Sequence, residues 1–273
     1  MQKKVTSTQS DIREFLELHP VFTLEELRKE LSMQNSGRAA SDMIQHNKNM
    51  RRVGMIKEGL YYVIRPGQSA QTAPVDPFLL VSKLAPDTVL AYHTALDLLG
   101  FGHSVFNTYY CFSSRSRPAL RFRQDHFRVV VTPEKLQKKS QELFATETVE
   151  RQGVKVIVSG KERTLVECLE KPQNCGGFEE MYRSLEKIPF INPDLLIQYL
   201  DLRDQRNLYA RTGFFLAQHQ EDLHVEESFL QKLAQNVPAQ PLYWTPQRKG
   251  GVLMKRWNLI VPEAVRDRSW EER

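Results

Sequence analysis

SGRAASDMIQHNKNMRRVGMIKEGLYYVIR, residues 36–65, is the stretch on which the reading of this chain turns. Its first half has helical spacing: Arg38, Ser41, Gln45, Lys48 and Arg52 recur at steps of three or four and share one face. Ala40, Met43 and Ile44 fall on the opposite face. A helix with an apolar back and an outward row of Arg, Ser, Gln and Lys, extended at its end by Asn49 and Arg51, offers what a DNA major groove requires. Cationic groups meet phosphates, while amide and guanidinium groups meet base edges. The second half reads as a hairpin, with strands over residues 53–56 and 60–64 around Lys57-Glu58-Gly59. Gly59 can take the positive φ of a tight turn, and Lys57 at the tip can lie beside phosphate.

The preceding residues read as support for that helix. Ser10 can cap a first helix with Ile12, Phe15, Leu16 and Leu18 as its stripe, ended near His19-Pro20. Thr23-Leu24-Glu25-Glu26 is a capping box for a second helix whose inner face is Leu24, Leu27 and Leu31. After a turn at residues 35–37 comes the third. Three helices and a hairpin make a winged helix-turn-helix over residues 1–66, with the third helix as the groove reader.

Composition agrees with an anionic partner. The 273 residues carry a formal charge of +5, with a pI near 9.0. By count, residues 1–66 hold 11 Lys or Arg against 8 acids and residues 113–139 hold 8 against 2, whereas 161–235 hold 9 against 13. The basic charge therefore lies in the first half, and the acidic helical half is better suited to binding a protein or to dimer packing. Residues 1–10 lack an apolar core, and no run of about 18 apolar residues occurs, so a cytoplasmic protein without a membrane partner is expected. Cys111, Cys168 and Cys175 lack zinc-site spacing and read as buried thiols, with no metal and no cofactor expected.

Three prolines between residues 65 and 77, with Gly67 and small polar residues, mark residues 67–77 as a linker. An α+β body then runs over 78–273. It should open with two short helices, the second including Val89, Leu90, Ala95 and Leu96 and ending at Gly100. His93, with no acid or thiol at ligand spacing, reads as a cap or core residue. The strand-rich part, 106–158, should form one antiparallel sheet from residues 108–112, 120–131 and 148–158. In it, Arg115 and Arg117 lie in a loop, and alternation puts Arg121 and Arg123 on one strand face. These four are candidate secondary phosphate contacts or, equally, ordinary edge-guarding arginines. Residues 161–236 read as five helices, and a terminal strand near 255–261 could join the sheet.

Five stretches in this order resemble the AbiEi antitoxin family of abortive-infection proteins. They are Ala91-Tyr92-His93-Thr94-Ala95-Leu96, then Lys161-Glu162-Arg163-Thr164-Leu165-Val166-Glu167, then Gly176-Gly177-Phe178-Glu179-Glu180. Arg211-Thr212-Gly213-Phe214-Phe215-Leu216 and Trp257-Asn258-Leu259-Ile260-Val261-Pro262 complete the set. The resemblance implies a repressor of its own operon that binds a promoter inverted repeat in double-stranded DNA, as a homodimer on two half-sites. It also implies functional pairing with a nucleotidyltransferase-like toxin, opposed without a lasting complex, in a type IV toxin-antitoxin arrangement. The family's DNA-reading positions would fall on Arg38, Ser41, Gln45, Lys48 and Arg52. Within the shared stretches, Arg163 beside Glu162 and Glu167 reads as a buried ion pair joining sheet to helices, and Arg211 with Gly213 as close helix packing.

Two other functions are weighed against the repressor. A metal-dependent nuclease would need an acid two residues before a strand lysine, and the strand around Lys155 lacks one. Phosphate-loop, dinucleotide-binding and nucleophile-elbow patterns are also missing, so the expected protein is not an enzyme. A protein-binding adaptor without DNA specificity would use the acidic helical half.

Overall fold

The computed structural model describes residues 12–30 and 37–270, with residues 37 and 38 as backbone only. The expected cap at Ser10, the inner-face Leu31 and the turn residues Asn35 and Ser36 lie outside the described residues. The architecture is mixed α+β.

The head begins with α1 (residues 12–18), which buries Ile12 and Phe15. A short strand follows where the sequence showed only a break at Pro20: β1 (Val21–Thr23), whose Val and Phe favour extended backbone. Helix α2 (Leu24–Glu30) starts on the capping box. Glu26 N–H donates to Thr23 Oγ1 at 3.1 Å, and Thr23 N–H donates to Glu26 Oε2 at 2.8 Å. Helix α3 (Gly37–Asn49) and the hairpin β2 (Val53–Lys57) and β3 (Leu60–Val63) complete the head. β1 pairs antiparallel with β3, giving a three-stranded sheet in the order β1-β3-β2. Phe15, Phe22, Leu27, Ala40, Ile44, Val53 and Tyr61 form the core between helices and sheet.

Residues 67–77 pack rather than hang free. Ala73 is fully buried, Tyr62 Oη donates to Ala70 O at 2.8 Å, and Asp76 caps α4 (Pro77–Ser82) while accepting from Arg151 Nε at 2.7 Å. One apolar cluster holds Val21, Leu60, Tyr62 and Ile64 of the head with Phe78, Leu79 and Leu80 of α4 and with residues of the main sheet. Glu26 adds an ion pair to Lys83 at the end of α4. The capping glutamate thus fixes a helix start with one oxygen and ties head to body with the other.

In the body, residues 89–90 are a strand, β4 (Val89–Leu90), rather than the helix expected there, and α5 (His93–Leu98) begins only after it. Both residues of β4 are fully buried in mid-sheet, where β-branched and aliphatic side chains pack on both faces. The other strands are β5 (Thr108–Ser113), β6 (Leu120–Phe122), β7 (Asp125–Val131), β8 (Thr146–Arg151) and β9 (Val154–Ser159). Their order is β6-β7-β5-β4-β9-β8. The sheet is mixed, not antiparallel as expected: β5 runs parallel to β7, and β4 parallel to β9. Short hairpins at 123–124 and 152–153 make the outer pairs antiparallel, and β4 and β5, joined through α5, are antiparallel too, whereas the connection through β6 returns the chain parallel from β5 to β7.

After α6 (Glu134–Lys138), the helical layer comprises α7 (Lys161–Glu170), α8 (Phe178–Leu185), α9 (Pro193–Arg203), α10 (Arg206–Gln218) and α11 (Glu227–Ala234). These are the five helices that the three- and four-residue apolar repeats mark. The terminal strand does not join the main sheet. β12 (Leu259–Val261) sits between β10 (Leu242–Tyr243) and β11 (Val252–Met254) in a sheet of its own, followed by α12 (Glu263–Asp267). Lys255–Trp257 is a 3-10 turn that drives Trp257 into the main core against Gly213, where an added Cβ would stand 2.0 Å from the indole.

Arg163 joins sheet to helices as expected. Fully buried, it donates to Glu167 Oε1 at 2.7 Å and to the carbonyls of Glu142 and Phe144 at 2.7 and 2.9 Å. Glu162 faces elsewhere and accepts from the Asn192 backbone at 2.8 Å. Arg211 caps the end of α7, donating to Glu170 O at 2.7 Å.

Candidate nucleic-acid interface

Helix α3 follows from its composition: Ala39, Ala40, Met43, Gln45 and Lys48 are strong helix formers, and no Gly or Pro interrupts the interior. Ala40, Ile44 and Asn47 are buried and Met43 is half-buried, which fixes how the helix is rolled against the head. Asn47, polar but buried, donates Nδ2 to Met43 O at 2.9 Å. The outward side consists of Ser41, Asp42, Gln45, His46 and Asn49, all exposed. Ser41 and Gln45 therefore stand where the periodicity puts them, Asn49 of the helix end is exposed beside Gln45, Lys48 borders the face half-buried, and the Arg38 side chain lies outside the described residues. Gln45 donates Nε2 to Asn49 Oδ1 at 3.1 Å, so the two amides form one exposed unit with free donor and acceptor positions. Asp42 and His46 share this side although neither lies on the three- and four-residue row. Asp42 repels phosphate, which confines any backbone contact to the other residues.

The helix ends in a Schellman turn. Arg52 N–H donates to Asn47 O at 2.9 Å and Arg51 N–H to Lys48 O at 3.0 Å, with Arg51 at φ 55°. Glycine usually fills that position, because a Cβ there costs roughly 1 kcal/mol. Arg51 and Arg52 both emerge exposed at the C-terminal end of α3, where the helix dipole also favours positive charge.

Across the hairpin, Glu58-Gly59 forms the tip with Gly59 at φ 78°. Lys57 is exposed, and its ammonium pKa is lowered by partial burial and then by the nearby Arg117 guanidinium. The fold thus brings the hairpin tip to the basic loop of the body, two features 60 positions apart in the sequence. That loop is anchored at its base: Ser113 Oγ and Ser114 N–H donate to Asp87 at 2.7 and 2.6 Å. Partial burial pushes the Asp87 carboxyl up, but the hydrogen bonds from Ser114 and Ser113 outweigh it and hold the pKa at about 2.

Arg115 and Arg117 are exposed in the loop as expected, and Arg121 is exposed on β6. Arg121 lies opposite His126, with 3.1 Å between Nη2 and Nε2. Arg123 corrects the strand reading. The run 120–131 breaks into β6 and β7, and Arg123 sits in the turn at φ 55°, not on the face of Arg121. Its guanidinium lies over the Tyr62 and Phe122 rings and donates to Ala70 O at 2.9 Å, so it braces head against body. Those bonds leave it poorly placed as a phosphate contact.

The structure also gives His93 a partner the sequence did not show. Its Nε2 lies 3.1 Å from Glu180 Oε1, which further accepts from Ser104 N–H at 2.9 Å and Ser184 Oγ at 3.1 Å. Partial burial raises the Glu180 pKa, but the hydrogen bonds from Ser104, His93 and Ser184 bring it below its ordinary value. His93 is 2% exposed, so the pair is an internal tie between α5 and α8. No local spacing could reveal it, since 87 residues separate the partners. Among the described residues no three His, Cys, Asp or Glu side chains gather as metal ligands, and the three cysteines are buried and unpaired by disulfides. No helix among them is long and apolar enough to cross a membrane.

No family model matches the chain, and no curated protein does. Among solved structures, the crystal structure of the RV2827C protein from Mycobacterium tuberculosis is similar, with a TM-score of 0.57 at 18% identity. The match covers 95% of this chain and 92% of that one, so the likeness extends over head and body alike; at this identity it speaks to the fold.

Proposed function

We propose that the protein is a sequence-specific DNA-binding repressor, with the head working as a winged helix-turn-helix and α3 in the major groove. The observation that carries this reading is the exposed polar face of α3, Ser41 with the Gln45-Asn49 amide pair, followed at once by Arg51 and Arg52. Amides at mid-helix can read base edges, and arginines at the helix end can hold phosphate. Lys57 at the hairpin tip, with Arg117 beside it, supplies a second cationic point for the backbone. Arg115 and Arg121 extend that surface.

The biological role follows the AbiEi resemblance: a cytoplasmic antitoxin that represses its own toxin-antitoxin operon in phage defence and opposes a nucleotidyltransferase-like toxin. It acts by binding, as a homodimer on an inverted repeat, and not as an enzyme. With about six phosphate contacts, affinity falls on the order of a thousandfold between 50 and 200 mM salt. Titration of its own upstream DNA against a random duplex across that salt range tests the reading. Preference for the upstream DNA supports it, and equal weak binding of both, or none at low salt, overturns it.

A further inference from the structure

Where α7 ends, Lys171, Gln173 and Asn174 form one wall of an open cleft of about 400 Å³. The other wall is Tyr110 of β5, Arg128 of β7 and Arg117 from the loop before β6. No carboxylate lines it. Among the described residues Arg117, Arg128 and Lys171 have no ion-pair partner, and the neighbouring acid is already taken: both oxygens of Glu170 accept from Arg203 Nη2, at 2.8 and 2.9 Å. Three cations around one concavity repel one another, and an anionic occupant removes that cost.

We propose that this cleft binds a small phosphate ester the size of a nucleoside diphosphate. The three cations hold the phosphates, the Gln173 and Asn174 amides offer paired donors and acceptors to a heterocycle, and the half-buried Tyr110 supplies a flat apolar wall. Burial raises the Tyr110 phenol pKa against the opposing pull of Arg128, so its hydroxyl remains a donor. The volume lies within the range of small-ligand pockets. Shape favours a small ligand over duplex DNA, because Tyr110, Lys171 and Asn174 are recessed, not raised. The cleft shares Arg117 with the proposed DNA surface, but Lys171 and Arg128 belong to the cleft alone, and the test falls on those two.

Calorimetric titration of the full chain with ADP, GDP, CDP and UDP, and with inorganic phosphate and sulfate at matched ionic strength, tests it. Saturable 1:1 binding of at least one nucleotide is expected, weakened at least tenfold by Lys171→Gln and by Arg128→Gln. Lys155→Gln, an exposed cation on β9, leaves it unchanged. The proposal is overturned if no nucleotide binds more tightly than sulfate, or if the cleft variants bind as the wild type does. It is equally overturned if those variants lose affinity for a random duplex by the same factor, which would make the cleft part of a DNA surface.

Discussion

Arg163 and Arg52 carry the same guanidinium to opposite ends. In the body Arg163 is fully buried, bound to Glu167 and two backbone carbonyls between the Phe112 and Tyr199 rings. Arg203 and Arg211 are likewise enclosed and bonded, to Glu170 and to the end of α7. In the head Arg51 and Arg52 stand exposed at the end of a helix. A charge inside needs partners, because desolvation costs several kcal/mol. One held outside, on a rigid helix end, is available to an external anion. These three arginines of the body are built into the fold, and the two at the end of α3 are left for something else.

The largest test of that contrast is Arg163→Ala. It removes the cation from the buried Glu167 carboxylate, leaving it the Tyr199 hydroxyl at 3.1 Å on one oxygen and no partner on the other, and should cost about 3–5 kcal/mol in denaturant unfolding. A loss under about 1 kcal/mol would show that the buried network does not hold the body. Next comes Gly213→Ala, which in an exposed helix would be stabilising. Here the added Cβ meets the Trp257 ring, so a loss of about 2 kcal/mol is expected, and unchanged unfolding would mean the indole shifts freely.

In the head the effects should move from stability to binding. Arg52→Ala should leave unfolding within about 0.5 kcal/mol of wild type, yet weaken binding to every duplex, roughly tenfold at low salt. Gln45→Ala should chiefly narrow the gap between specific and random DNA; equal losses on both sequences for the two variants would break that division. Arg51→Gly is the sharper variant. It relieves a Cβ at φ 55° and should raise stability by up to about 1 kcal/mol while lowering DNA affinity, and a gain in both would sever Arg51 from binding.

The last effect appears only in acid. Asp87 has a folded pKa of about 2, below the roughly 3.9 of an unfolded Asp. Its contribution is complete above pH 4 and is lost as the pH falls through 2. Asp87→Asn should therefore flatten the acid limb of the stability profile between those values. An identical limb in both proteins would mean that the loop bearing Arg115 and Arg117 is anchored by something else.

What the sequence could reveal was local. Thr23 and Glu26 announce a helix start because both ends of the capping box lie within one turn, and the roll of α3 follows from Ala40, Met43 and Ile44 at helical steps. Arg163 was legible because its partner Glu167 is four residues away. Features that depend on distant pairing were not. β1 is a strand only because β3 lies beside it, and β4, two residues long, is defined by its neighbours β5 and β9. His93 meets Glu180, Glu26 meets Lys83, and Lys57 comes within electrostatic range of Arg117 through packing alone. Arg123 misled because alternation assumes an unbroken strand, whereas the chain turns at that residue to pair with itself.

The central claim, that the exposed face of α3 reads DNA, is tested most directly by a nuclease footprint on the DNA upstream of the gene, at low salt and with excess random duplex. Two protected half-sites are predicted, about one helical turn or roughly 34 Å apart or a multiple of it, and lost in Gln45→Ala. Uniform weak protection that Gln45→Ala leaves unchanged would contradict the account.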